Sequence, residues 1–257
     1  MPKTPPRRVI LVSGATSDIG MSIIEQFVNE GFEIVALVRD SDIFYRKLSE
    51  AAHSKCHAYK FDARNLNDIP ELLNRIINEQ GKVQHFVHCL GMHAIKPLKL
   101  ASSEHLAENF NLNCSSGLLI AKYFSQSKYS EPAFDQVEVG QSIVFICSLA
   151  ATRPEAGLMA YSASKAALVV GAQSIALELA HKNIRVNCIS PGWVSSARSG
   201  KVSEKLGPIK IMEHRAKYPL GFGRVEDVAK LCSFLVSSSS RWITGQNIVI
   251  DGGRSLV

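Results

Sequence analysis

What the sequence lacks sets the first limits. It has no unbroken apolar run of about 18 residues, so no segment stands out as a bilayer span. The opening "MPKTPPRR" lacks the apolar stretch of a secretory signal. A soluble, cytoplasmic protein without membrane association is therefore expected. The six cysteines, at positions 56, 89, 114, 147, 188 and 232, form no C-x-x-C pair and no metal-ligand spacing. Four lie within apolar runs, which makes them reduced core thiols and argues against a metal site. An acidic excess is also missing: 29 Lys and Arg stand against 23 Asp and Glu, a net charge of +6. That surplus suits anionic ligands but is too scattered to indicate a nucleic acid partner. No repeat, low-complexity tract or long linker divides the 257 residues, and at 46% hydrophobic they suffice for the core of one domain.

What is present is a run of short β-rich segments: "RVILVS", "EIVALV", "CHAYKF", "QHFVHC", "SIVFIC", "IRVNCI" and "NIVI". Most are separated by stretches of helical spacing, such as Ile19, Ile23, Ile24, Phe27 and Val28, which place one apolar stripe against a sheet. Apolar strands alternating with helices make βαβ units, and these build a parallel sheet covered on both faces. The expected fold is a doubly wound, Rossmann-like three-layer α/β sandwich. Two irregular stretches interrupt the pattern, "YSEPAFDQVEVG" before the fifth strand and the long segment from Trp193 to Pro219.

The first strand runs straight into "SGATSDIG", giving a glycine motif with a strand before it and a helix after it. Gly14 permits a tight turn and Gly20 close helix packing, while the N–H groups opening the helix near Ile19 are positioned for a pyrophosphate. Alone, such a turn is as consistent with simple geometry. A second cluster adds chemistry. In "YSASK", Tyr161 and Lys165 are four residues apart and share one helical face. An ammonium beside a phenol stabilises the phenolate and lowers a pKa that is otherwise near ~10, which suits proton exchange with an alcohol or carbonyl oxygen. Ser148, thirteen residues upstream of Tyr161 at the end of "SIVFICS", falls at the carboxyl edge where open α/β sheets hold their ligands.

On "SGATSDIG", Ser148, "YSASK", "ISPGWV" and "WITGQNIVIDGG", the chain resembles the short-chain dehydrogenase/reductase family over nearly its whole length, and is similar to 3-oxoacyl-acyl-carrier-protein reductases. The resemblance implies a catalytic set of Asn113, Ser148, Tyr161 and Lys165. In it Tyr161 is the proton donor and Ser148 orients the carbonyl. Lys165 lowers the Tyr161 pKa and binds the nicotinamide ribose, and Asn113 holds a water. The implied cofactor contacts are Gly14, Thr16, Ser17, Asp18, Ile19, Gly20, Arg39, Asp62, Gly91, Tyr161, Lys165, Pro191, Gly192 and Val194. Asp62 would meet the adenine amine. A homotetramer, or else a homodimer, follows from the same resemblance, with the helices beginning near Asn113 and Tyr161 in one interface and the strand "NIVIDGG" in another.

Three departures from the family pattern stand out. Ser13 replaces a threonine and keeps the hydroxyl. "HCLG", His88 to Gly91, replaces N-N-A-G, and His88 reads as a buried, satisfied core histidine. Asp18 puts a carboxylate in the glycine turn. There it is expected to fold back and cap the first turn of its own helix, leaving nucleotide binding intact. Cofactor choice is read at the end of "EIVALVRD": Val38 ends the strand, Arg39 follows, and Asp40 lies one residue beyond. A guanidinium grips a 2′-phosphate with two hydrogen bonds, so NADP(H) is expected, with Ser17 as an additional donor. The segment Trp193 to Pro219 is expected to be a substrate lid; its surplus of Lys and Arg is compatible with an anionic or carrier-bound carbonyl substrate and equally with a merely solvated surface. The function expected is NADPH-dependent carbonyl reduction, with 3-oxoacyl thioesters as the leading substrates. The alternatives are an alcohol or sugar dehydrogenase working oxidatively and a non-catalytic NADP(H)-binding regulator.

Overall fold

A computed structural model describes residues 7–131 and 140–257. Most of the irregular stretch before the fifth strand, residues 132–139, lies outside the described residues. The first half runs β1 (Val9–Ser13), α1 (Asp18–Asn29), β2 (Glu33–Val38), α2 (Ser41–Lys47), α3 (Glu50–His53), β3 (Cys56–Lys60), α4 (Ile69–Gln80) and β4 (His85–His88). It continues with α5 (Ser103–Phe110), a π-helical turn (Asn111–Ser115), α6 (Ser116–Phe124), β5 (Gln141–Ile146), α7 (Met159–Leu179) and β6 (Ile184–Pro191). The last part holds β7 (Val194–Ser195), α8 (Ala197–Leu206), α9 (Pro208–Ala216), β8 (Gly223–Arg224), α10 (Val225–Val236) and β9 (Asn247–Ile250).

Seven strands form one parallel sheet in the order β3-β2-β1-β4-β5-β6-β9, and the short β7 and β8 pair separately. The seven apolar runs of the sequence are these seven strands. Alternation within each strand divides the core into two layers. Val9, Leu11, Val35 and Leu37 face α4, α6 and α7, whereas Ile10, Val12, Ile34 and Ala36 face α1 and α10. The stripe foreseen on α1 buries Ile23, Ile24, Phe27 and Val28, each large side chain contributing about 1.5–3 kcal/mol. Chain order reverses between β1 and β4, so the crevice beyond their carboxyl ends is where a ligand of this fold sits.

Two features escape the apolar pattern. Arg185 on β6 is buried, and its guanidinium donates to the carbonyls of Leu235, Val236 and Ser237 at the end of α10, as well as to Ser240. A cation there satisfies carbonyls that the helix leaves unpaired and complements its dipole. The other feature is α7. By length and composition the span Met159–Lys182 is apolar enough to cross a membrane, although no unbroken apolar run reveals it in the sequence. It instead lies along β6 as a central helix and buries Lys165.

Candidate active site

The glycine turn is shaped by what surrounds it. Gly14 has φ of 69°, and a Cβ there would come within 2.6 Å of the Cys89 and Leu90 backbone, so both conformation and space demand glycine. Gly20 faces the Gly14 carbonyl, which an added Cβ would approach to 2.6 Å. Ser17 is the N-cap of α1: its hydroxyl donates to the Gly14 carbonyl at 2.8 Å and accepts from the Gly20 N–H at 3.0 Å. That assignment corrects one expectation. Asp18 does not cap its own helix, because the Ser17 oxygen already does. The Asp18 carboxylate instead accepts from the Ala197 N–H at 2.7 Å, the first residue of α8.

The loop after β4 borders the turn on its other side. His88 is fully buried; its Nδ1 meets the Ser13 hydroxyl at 2.7 Å, but its Nε2 has no partner. The expected core histidine is therefore satisfied at one nitrogen only. Burial, with a smaller push from the Lys165 charge, drives its pKa down to about 3, so it is neutral. Its ring lies against Gly117 of α6, where an added Cβ would come within 2.8 Å. Gly91 makes room in the same way for Lys165, whose Nζ would lie 3.2 Å from a Cβ.

Lys165 is buried and donates to the Ile146 carbonyl at 2.9 Å and the Leu90 carbonyl at 3.5 Å. Desolvation by burial lowers its pKa. Cys89 and Cys147 line the adjoining groove together with it. Burial pushes the Cys89 thiol up to about 12. Cys188 donates to Cys147, and that hydrogen bond with burial raises Cys188 well above the ordinary thiol range. Sequence reasoning treats these residues as core filling. The available signal was position: Cys89, Cys147 and Cys188 lie at or near the carboxyl ends of β4, β5 and β6.

Asn113 sits in the π-helical turn, an insertion that rotates one residue out of the helical register and often marks a functional position. Its Oδ1 accepts from the Met92 N–H at 2.6 Å, while Nδ2 donates to the Met92 carbonyl at 3.1 Å and to Ser164 Oγ at 2.9 Å. Ser164 in turn donates to the Tyr161 carbonyl at 2.8 Å. The carboxamide is thus a clamp between the loop after β4 and the first turns of α7, and Ser164 within "YSASK" is a link the sequence does not single out. The clamp also fixes the neighbour of Met92, His93, whose ring centroid is 4.8 Å from that of Tyr161.

Ser148, two residues past β5, accepts from the Ala150 N–H at 3.2 Å. Ser148 and Tyr161 both line a cavity of about 540 Å3, walled by Ile95, Leu149, Leu158, Trp193, His214 and Tyr218. Arg153, Lys210 and Lys217 border it together with Glu155 and Glu213. The rings of Trp193, His214, Tyr218 and Phe222 pack on one another, with Trp193 stacked on Phe222 at 5.3 Å. Pro191 and Val194 line the same cavity, and Gly192 is forced by Asp251 and Tyr218, each about 3.0 Å from an added Cβ. A second groove of about 380 Å3 adjoins the first, lined by Thr16, Ser17, Asp18, Ile19, Gly91, Tyr161 and Lys165 with Ser196 and Ala197.

Arg39 is exposed just past β2. Asp40 is the N-cap of α2, its carboxylate accepting from the Ile43 N–H at 3.0 Å. Lys47, a residue not anticipated, donates to the Thr16 carbonyl at 2.8 Å, bringing a cation to the glycine turn. Asp62 accepts from the Arg64 N–H at 3.0 Å, and that bond holds its carboxyl below the usual range.

The glycine turn, the groove beyond β1 and β4 and the buried lysine four residues after a tyrosine define an oxidoreductase of the Rossmann type that uses a nicotinamide cofactor. A family model described as "Enoyl-(Acyl carrier protein) reductase" matches residues 14–255. The chain belongs to the short-chain dehydrogenase/reductase family. It is 28% identical over 249 residues to 3-oxoacyl-acyl-carrier-protein reductase FabG of Thermotoga maritima, covering 96% of this chain and 97% of that protein. It is also 28% identical to 7alpha-hydroxysteroid dehydrogenase of Bacteroides fragilis, covering 97% and 95% of the two chains. A solved short-chain type dehydrogenase/reductase from Mycobacterium ulcerans superposes with a TM-score of 0.84 at 26% identity, over 98% of this chain and 92% of that one.

Proposed function

We propose that this protein is an NADPH-dependent carbonyl reductase, with 3-oxoacyl thioesters as its leading substrates. The carrying observation is the opening of Ser148 and Tyr161 into the larger cavity while Tyr161 and Lys165 line the adjoining groove. Bound in that groove, the cofactor supplies hydride. The Tyr161 hydroxyl gives the proton to the substrate oxygen, and the Lys165 ammonium favours the phenolate left behind. Ser148 spends a lone pair on Ala150, which leaves its O–H to donate to the same oxygen. Arg39 and Lys47 supply positive charge where a 2′-phosphate is read, and Asp40 is engaged in capping α2. The residues from Trp193 to Pro219 act as the lid, its Lys210 and Lys217 facing an anionic carrier or thioester arm.

The aromatic wall supports a second reading, an alcohol dehydrogenase of bulky apolar substrates that works oxidatively with the same groups. Steady-state assays of acetoacetyl thioesters, a ketone panel and a secondary-alcohol panel, each with both nicotinamide nucleotides, separate the two. Thioester reduction with NADPH is the expected dominant activity; turnover confined to alcohols would establish the second reading. Absence of any turnover with tight NADPH binding would leave the protein a regulator.

Assembly as a homotetramer completes the proposal. Ala163, Val170 and Leu177 form an exposed stripe along α7, and Val249 on β9 and Trp242 near it are also exposed. Gly171 does not serve that surface, since Leu118 of α6 in the same chain fills the space where its Cβ would be. Light scattering at micromolar concentration is expected to give four times the chain mass. A monomeric mass would contradict this assembly.

A further inference from the structure

Asp18 is where this chain departs from the glycine turn, and its carboxylate reaches across 179 positions of sequence to the Ala197 N–H. We infer that Asp18 is a positioning residue that latches the lid helix α8 over the cofactor groove and so slows cofactor release. The inference rests on the functional reading above for its consequence, though the latch itself is a property of the protein alone.

Three observations carry it. Asp18, Ile19, Ser196 and Ala197 all line the groove, and the hydrogen bond ties the start of α1 to the start of α8 there. Ile19 and Ser196 also line the substrate cavity, which places the tie at the partition between the two spaces. The Ala197 N–H belongs to the first turn of α8, where helical N–H groups lack partners within the helix. The Ser196 hydroxyl caps the Ser199 N–H at 3.1 Å and Ser199 returns a bond to the Ser196 N–H, so Asp18 supplies what this capping pair does not. A carboxylate at that end also meets the positive pole of the helix dipole. A glycine at position 18 would offer no acceptor, and the lid would be held by its own connections alone.

The oxygen acceptor of Asp18 makes the latch while its charge opposes the cofactor phosphates, and two substitutions separate these effects. Asp18→Asn keeps an oxygen acceptor and loses the charge; Asp18→Ala loses both. In cofactor-free full-length protein, hydrogen exchange of the peptide spanning residues 195–206 is expected to rise roughly two- to tenfold in Asp18→Ala, the range set by the net loss of one hydrogen bond. It should stay near wild type in Asp18→Asn. NADPH release followed by stopped-flow fluorescence is expected to be faster in Asp18→Ala than in Asp18→Asn by a similar factor, with Asp18→Asn no faster than wild type. Equal exchange in all three proteins overturns the latch. Exchange that rises in Asp18→Ala while the two variants release NADPH at one rate overturns its part in retention. If wild type binds neither nicotinamide nucleotide, the functional reading fails, and the exchange comparison still decides whether the latch exists.

Discussion

Tyr161→Phe is expected to lower kcat by about 10²–10⁴-fold, the usual worth of a positioned general acid, with NADPH binding nearly unchanged. The substitution keeps the ring and the main chain of Tyr161, through which two of its neighbours are held. Lys165 is fixed by the carbonyls of Ile146 and Leu90 and by the space at Gly91. Ser164 reaches the main-chain carbonyl of residue 161, and His93 packs on the ring, contacts that phenylalanine preserves. The ground-state site should therefore survive while the transferable proton disappears. Retention of more than about a tenth of wild-type kcat would place the proton donor elsewhere.

The fold was legible because a parallel sheet buried on both faces writes itself as continuous apolar runs, and all seven are there to be read. Tyr161, Lys165 and Ser148 were legible for a related reason: four-residue spacing and a strand-end position are local properties that survive without coordinates. The misreadings concern polar side chains with a choice of partner. Asp18 has a helix start beside it, and sequence proximity makes that the obvious acceptor site. Ser17, one residue nearer, takes it, and the carboxylate turns to a helix end that only tertiary structure brings close. His88 shows the converse limit. Burial was foreseeable from "QHFVHC", but whether each ring nitrogen finds a partner depends on α6, where Gly117 lets the helix lie against the ring and offers it no polar group.

The thiols around Lys165 and the cation at Lys47 were hidden differently. Each residue is unremarkable alone, and its meaning comes from several strand ends or loops meeting at one point. Cys89 and Cys147 follow two different strands, yet both line one groove with the Lys165 ammonium.

Arg39→Ala is expected to weaken NADPH binding by about tenfold or more while leaving NADH binding nearly unchanged. A hydrogen bond to a charged group contributes about 1.5–3 kcal/mol, and a guanidinium offers two to a phosphate. Exposure of Arg39 reduces this, and Lys47 remains to supply part of the field, which together hold the loss near the lower end. The selectivity follows from chemistry: NADH carries a 2′-hydroxyl where NADPH carries a dianion, so deleting the cation removes an attraction that only NADPH enjoys. Asp40 does not reverse the preference in the variant, because its carboxylate stays bound to the Ile43 N–H at the start of α2. Raising ionic strength should shrink the wild-type preference toward that of the variant, as screening weakens an exposed charge pair. Isothermal titration of both proteins with both nucleotides at two salt concentrations measures all of these terms. Equal losses for NADPH and NADH would mean that Arg39 supports the groove itself and that the 2′-position is read by another residue.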